Sequence, residues 1–205
     1  MTYGQNDDRE SGRIPPKKKQ AKPKKVTAGY LERAALHYLG RFSSSESNLH
    51  QLLERKVRRR NENHAPATEE QQARISDVVR KCVGYGYVDD KRYAAQRAEM
   101  LLRRGKPVRT IKQDLRHKGI SVEISAEVLG ELEGEEPDAV DRKAAAAYIK
   151  RRRFGAFRRE TGDDSALLAA KRNKELASMA RAGFGYSLAN EMLNLPQDGI
   201  IDLLA

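Results

Sequence analysis

Cysteine is almost missing from this chain of 205 residues: Cys82 stands alone, which excludes a disulfide framework. A single thiol is what a reducing compartment permits. Its helical spacing with Ile75, Val78 and Val79 reads as a small buried apolar residue. Tryptophan is absent and aromatic residues make up only 6% of the chain, so little bulk exists to fill one large interior. Several small cores fit the composition better. No stretch approaches the ~20 consecutive apolar residues of a membrane helix, and the N-terminus has no apolar signal core. The expected setting is therefore the cytoplasm, with no membrane partner. Period-two alternation of apolar and polar residues is also lacking, which argues against sheets. No glycine-rich loop ends in Lys-Ser or Lys-Thr, and Gly84-Tyr85-Gly86-Tyr87 lies between helices rather than after a strand. The histidines His37, His50, His64 and His117 share no paired spacing and have no cysteine partners, and no acids cluster to hold a metal ion. The sequence thus leads us to expect no catalytic residues, no cofactor and no metal.

What the chain has in quantity is positive charge. Forty Lys and Arg stand against twenty-nine Asp and Glu, a net charge of +11 that raises the local concentration of polyanions or acidic proteins. Residues 1–27 hold few aliphatic side chains, three prolines and a cluster of lysines around Lys17-Lys18-Lys19 and Lys24-Lys25. Too little apolar surface is available there to offset the entropy of ordering the chain, so a disordered basic arm is expected.

Beyond the arm the reading is all-α. Leu31, Ala34, Ala35, Tyr38 and Leu39 form the stripe of an amphipathic helix that Gly40 stops. Ser43 and Glu46 read as a capping box before Leu49, Leu52, Leu53 and Val57, and Thr68 with Gln71 as another before Ile75, Val78, Val79, Cys82 and Val83. Asp89 is a good N-cap for a helix ending at Gly105, and the adjacent Asp90 adds a second acid at its positive dipole end. Pro107 suits the first position of a helix carrying Val108, Ile111 and Leu115, and Gly119 precedes a third helix through Ile124, Val128, Leu129 and Leu132. After an acidic break come the alanine-rich segment 144–149, a helix to Ala182, and another from Ser187 to Leu195; Asp163-Asp164 read as a cap. Helices running into Gly40, Gly105 and Gly183 look like one phrase written three times. The expected architecture is three tandem three-helix modules, 28–86, 87–134 and 135–205, in an elongated, curved array.

The run Gly86-Tyr87-Val88-Asp89-Asp90-Lys91-Arg92-Tyr93-Ala94, then Arg104-Gly105-Lys106, then Ile111, Leu115 and Lys118-Gly119-Ile120, resembles the RecX regulators of the RecA recombinase. The resemblance covers residues 28 to 195 and is most specific in the middle module. It implies a bacterial cytoplasmic protein that binds RecA on DNA, follows the groove of the nucleoprotein filament, restrains its activities and performs no chemistry. A monomer with weak, salt-sensitive affinity for single- and double-stranded DNA is expected. The alternative is a stand-alone nucleic-acid binder of helix-turn-helix-like modules without RecA.

Three cationic clusters are the candidate contacts. Arg109, Lys112 and Arg116 fall at i, i+3 and i+7 on one helix face, with Arg103, Arg104, Lys106 and Lys118 near its ends and only Asp114 among them. The second cluster is Lys150, Arg151, Arg152, Arg153, Arg158 and Arg159 around Phe154 and Phe157. Basic residues interleaved with aromatics can grip phosphates and stack bases, although these rings suit a core equally well. The third is Arg58, Arg59 and Arg60, with Arg55 and Lys56, ahead of a polar insertion.

Overall fold

A computed structural model describes residues 25–134, 136, 138–159 and 165–205; the basic arm up to residue 24 and the Asp163-Asp164 cap lie outside them. Among the described residues the chain forms ten α-helices and no strand. The first module comprises α1 (Ala28–Leu39), α2 (Glu46–Arg58) and α3 (Glu69–Gly84), and the second α4 (Asp90–Arg103), α5 (Val108–His117) and α6 (Val122–Glu133). The third comprises α7 (Ala139–Arg152), α8 (Ser165–Ala182) and α9 (Tyr186–Asn194), followed by α10 (Gln197–Asp202). This is the repeated three-helix arrangement that the sequence pattern calls for, extended by one short helix whose Ile200 is fully buried.

Helix starts follow from side chains that take up free N–H groups. Thr27 caps α1 through a 3.3 Å bond from the Tyr30 N–H, and the preceding Val26 is buried in the core of the first module. Thr68 and Gln71 form the full reciprocal box at α3. The polar insertion before it is a short 3-10 turn at Glu62–His64, tied down where the Asn61 amide donates to the Ala65 and Pro66 carbonyls and exchanges bonds with Gln71. The box expected at Ser43 and Glu46 does not form. Ser45 is the N-cap of α2, because its hydroxyl accepts from the Asn48 N–H while donating to the Lys118 carbonyl, which fixes the helix start against the next module. Pro107 likewise stands one position earlier than expected, as the extended residue before α5, and offers no side-chain cap.

Several helix ends share one device, although α1 stops at Gly40 with a right-handed φ of −65°. At Gly105, Gly119 and Gly183 the backbone turns left-handed, with φ of +65°, +76° and +104°, and the next residue's N–H reaches back to the carbonyl of Leu101, Leu115 and Met179 in turn. α7 ends with the same bonding, the Phe154 N–H to the Ile149 carbonyl, but the left-handed residue is Arg153, φ +57°. Gly183 therefore matches Gly119, at the end of a second helix, and Arg153 occupies the place matching Gly105. The expected three-fold glycine phrase is corrected accordingly.

Apolar side chains collect in two cores rather than one per module. Leu31, Leu49, Leu53, Val57, Ile75 and Val79 fill the first module, with Cys82 among them as the sequence leads one to expect. Burial pushes the Cys82 thiol above its ordinary pKa. Modules two and three share the second core, which runs from Ala94 through Ile111 and Leu115 to Met179, Met192 and Ile200. α7 is its hub: Ala144, Ala145 and Ala146 are fully buried and present no bulk to hold the neighbouring helices away. A Cβ on Gly105 would lie 2.7 Å from the Tyr148 backbone nitrogen, so α7 crosses the end of α4 at a separation only glycine allows.

One joint links the modules twice. Asp90, in the first turn of α4, accepts the free Glu46 N–H of α2 at 2.8 Å, while Ser45 at the start of α2 donates to the Lys118 carbonyl at the end of α5. Asp141, in the first turn of α7, accepts the free Val108 N–H of α5 at 2.7 Å, while Thr110 in the first turn of α5 donates to the Ala182 carbonyl at the end of α8. In each case the first helix of one module caps the second helix of the module before it. The second helices stand start to end against one another, α8 to α5 to α2. The Asp89-Asp90 pair is thus structural throughout: Asp89 caps its own helix at 2.9 Å from the Arg92 N–H, and Asp90 caps its neighbour's.

Candidate functional site

α5 turns Ile111 and Leu115 into the shared core and thereby directs Arg109, Lys112 and Arg116 outward, all three exposed. The one acid on this helix is taken away from them. Arg97 of α4 grips Asp114 with two bonds, Nε to Oδ2 at 2.7 Å and Nη2 to Oδ1 at 2.9 Å. That guanidinium holds the Asp114 carboxyl below its ordinary pKa against the opposing effect of burial, with Lys118 and His117 adding to the lowering. Arg109, Lys112 and Arg116 have no carboxylate partner among the described residues. A helix face with its only acid neutralised sideways presents unspent positive charge to any approaching anion.

The residues at the ends of this face differ in what they are free to do. Arg103 faces Glu99 at 3.8 Å with both side chains exposed, a weak pair. Arg104 is exposed, and its carbonyl accepts from Arg151. Lys106 is half-buried in the turn between α4 and α5; Lys118 is half-buried at the far end, its carbonyl held by Ser45.

The second cluster divides. Lys150 and Arg159 are exposed; Arg151 and Arg152 lie over the rings of Tyr148 and Phe154, at 5.5 and 5.7 Å to the ring centroids. Arg158 belongs to the interior instead. It makes two bonds, of 2.7 and 2.8 Å, to Glu175, whose side chain is only 7% exposed, and that carboxylate keeps the guanidinium protonated above its ordinary pKa. Phe154 and Phe157 pack against the shared core, and Phe154 meets Tyr148 edge-on at 6.0 Å. They are structural rings, not platforms for bases.

In the third cluster Arg58 donates to the His64 carbonyl, and Arg60 lies 3.4 Å over the Tyr30 ring while bonding the Lys25 carbonyl at 3.3 Å. These two fasten the insertion and the chain entry. Arg59 remains exposed beside them.

A further cation emerges only from the fold. Arg181, near the end of α8, lines an open groove of about 450 Å³ together with Lys106, Arg151 and Arg152; Tyr148, Ser178 and Ala182 complete the lining. Its position in Arg181-Ala182-Gly183, two residues before a helix-ending glycine as Arg103 stands before Gly105, is the sequence signal that could have drawn attention to it. Among the described residues no three His, Cys, Asp or Glu side chains come together to hold a metal ion, and no helix is long and apolar enough to cross a membrane.

These features define a class: an all-helical repeat protein whose modules are joined by reciprocal caps and whose middle helix offers a bare cationic face. Residues 89–129 match the family model described as RecX, second three-helix domain. The chain is 34% identical over 183 residues to the regulatory protein RecX of Myxococcus xanthus strain DK1622, covering 88% of this chain and 94% of that one. It is 31% identical over 156 residues to the regulatory protein RecX of Syntrophotalea carbinolica, covering 76% and 88% respectively. The crystal structure of RecX from Lactobacillus salivarius shares the fold with a TM-score of 0.53 at 22% identity, over 86% of this chain and 96% of that one. The chain belongs to the RecX family of regulatory proteins.

Proposed function

We propose that this protein regulates the RecA recombinase by binding the RecA nucleoprotein filament and restraining its ATP hydrolysis, strand exchange and stimulated repressor cleavage. It works as a cytoplasmic monomer, by occupancy and without chemistry of its own. The observation that carries this reading is the exposed, unpaired face of Arg109, Lys112 and Arg116 on α5, relieved of Asp114 by Arg97. Tandem modules suit a filamentous target, since linked weak contacts gain from high effective concentration. Charge on the middle module speeds encounter with acidic RecA residues or filament phosphates and makes the interaction salt-sensitive.

The test is RecA-dependent ATP hydrolysis on single-stranded DNA, titrated with the protein at low and high salt. Inhibition that weakens with salt supports the reading. Arg109→Ala, Lys112→Ala and Arg116→Ala combined should abolish most of the inhibition while shifting stability by less than ~0.5 kcal/mol per exposed site. Inhibition unchanged in that variant removes the α5 face from the mechanism. Equal retention on bare and RecA-coated single-stranded DNA would instead favour a stand-alone nucleic-acid binder.

A further inference from the structure

We infer that the groove between the end of α4 and the ends of α7 and α8 is a seat for the phosphodiester backbone of a nucleic-acid strand, read without regard to base sequence. Four cations line it, Lys106, Arg151, Arg152 and Arg181, from three separate helix ends, and no carboxylate does. Nothing in the described residues neutralises them. Among the described residues the only polar bond these four side chains make is from Arg151 to the Arg104 carbonyl, which leaves the rest of its guanidinium fork open to a ligand. Planar guanidinium forks match phosphate oxygens two at a time, and three of the four cations are arginine.

The groove cannot read bases. Tyr148 is 9% exposed, lies beneath Arg151 and meets both Phe154 and Phe184 edge-on; its hydroxyl is taken by Ser178. Phe154 lies beneath Arg152. With guanidiniums lying over both of these rings, charge and hydrogen-bond donors face outward. The rings preorganise the guanidiniums, as does the close approach of Gly105 to the Tyr148 backbone, which locks Lys106 beside α7. Phosphate contact supplies position, not sequence. The groove is open rather than enclosed, so a strand can pass through it, as a free small anion would not require.

The inference deepens the proposal that nucleic acid is part of the target, and it can stand or fall apart from the action on RecA. Lys106→Gln with Arg181→Gln is the variant of choice, because neither side chain holds another element in place. Arg33→Gln with Arg80→Gln, on the first module, removes the same net charge elsewhere. Binding of fluorescent dT20 and dA20 to the full-length proteins without RecA should weaken several-fold in the groove variant and far less in the control. The slope of log affinity against log salt should fall by about 1.4 if two phosphates of a single strand are released. Wild type should hold dT20 and dA20 alike. Equal losses in both variants would mean that net charge alone acts, and unchanged affinity in the groove variant would remove the site. A poly-glutamate chain bound as tightly as dT20, with the same loss in the groove variant, would make it a carboxylate site and overturn the phosphodiester assignment. If dT20 binding behaves as expected yet the wild type leaves RecA hydrolysis untouched, the groove stands and the RecA reading falls.

Discussion

Arg153 holds a left-handed conformation that Gly105, Gly119 and Gly183 hold at comparable helix ends. For a residue with a Cβ this conformation costs roughly 1–2 kcal/mol. Arg153→Gly should therefore raise stability by about 1 kcal/mol, read as a higher urea midpoint with unchanged slope, less the extra freedom glycine gives the unfolded chain. A lower midpoint would show that the arginine side chain stabilises the turn by contact. Gly105 and Gly86 offer the converse comparison. Both have positive φ, but a Cβ on Gly86 meets open space whereas one on Gly105 meets the Tyr148 backbone N and Cα at 2.7 and 2.8 Å. Gly86→Ala should cost about 1 kcal/mol of strain, and Gly105→Ala about 2–4, since backbone must move as well. The sequence carries the glycines openly. It does not carry Arg153 as their equivalent, because a left-handed arginine is visible only through the hydrogen bonds that wrap it. Arg158 is hidden for a related reason. Its partner Glu175 lies 17 residues on, in α8, so a cation that reads as free is the mate of a buried carboxylate.

At the scale of the helix, local caps are legible and shared caps are not. Thr68 with Gln71, Asp89 and the apolar stripes of α1 to α6 follow from spacing within one turn or one helix. Ser45 in place of Ser43, and Pro107 without a cap of its own, follow from bonds to residues 73 and 33 positions away in the chain. No local pattern encodes such partners. The first prediction at this scale concerns Asp141: replaced by Ala, it leaves the Val108 N–H without its carboxylate and should cost about 1 kcal/mol. Amide exchange at the start of α5 should rise, and Asp90→Ala should do the same at the start of α2. Exchange unchanged at either place would show that water replaces the cap at no cost. The second concerns Asp114, held below its ordinary pKa by Arg97. A folded-state pKa lower than the unfolded one stabilises fully above the unfolded value, about 4, and the gain is lost as pH falls through the folded value. Asp114→Asn should thus be less stable than wild type by about 1 kcal/mol at neutral pH, with the gap closing as pH falls through the folded value. A gap that persists in acid would place the effect in shape rather than charge.

For the molecule as a whole, the number of cores decides how the array responds to damage. Composition pointed to several small cores and the structure has two, because the alanines of α7 allow modules two and three to close on one interior. The first module is tied to them mainly by the Ser45–Lys118 and Asp90–Glu46 bonds at its edge. Leu53 is fully buried in the first core, so Leu53→Ala should cost about 2–5 kcal/mol. Because few apolar contacts cross that joint, the loss should appear as faster amide exchange across α1 to α3 while α7 keeps its protection. Ile149→Ala, in the shared interior, should instead speed exchange in modules two and three together. An equal rise everywhere for Leu53→Ala would mean that the edge bonds couple the whole chain into one cooperative unit. A rise confined to α7, α8 and α9 for Ile149→Ala would mean that the second and third modules open separately despite their common core. The expected pattern gives a rigid pair of modules carrying the cationic face and the groove, with a first module able to open without disturbing either.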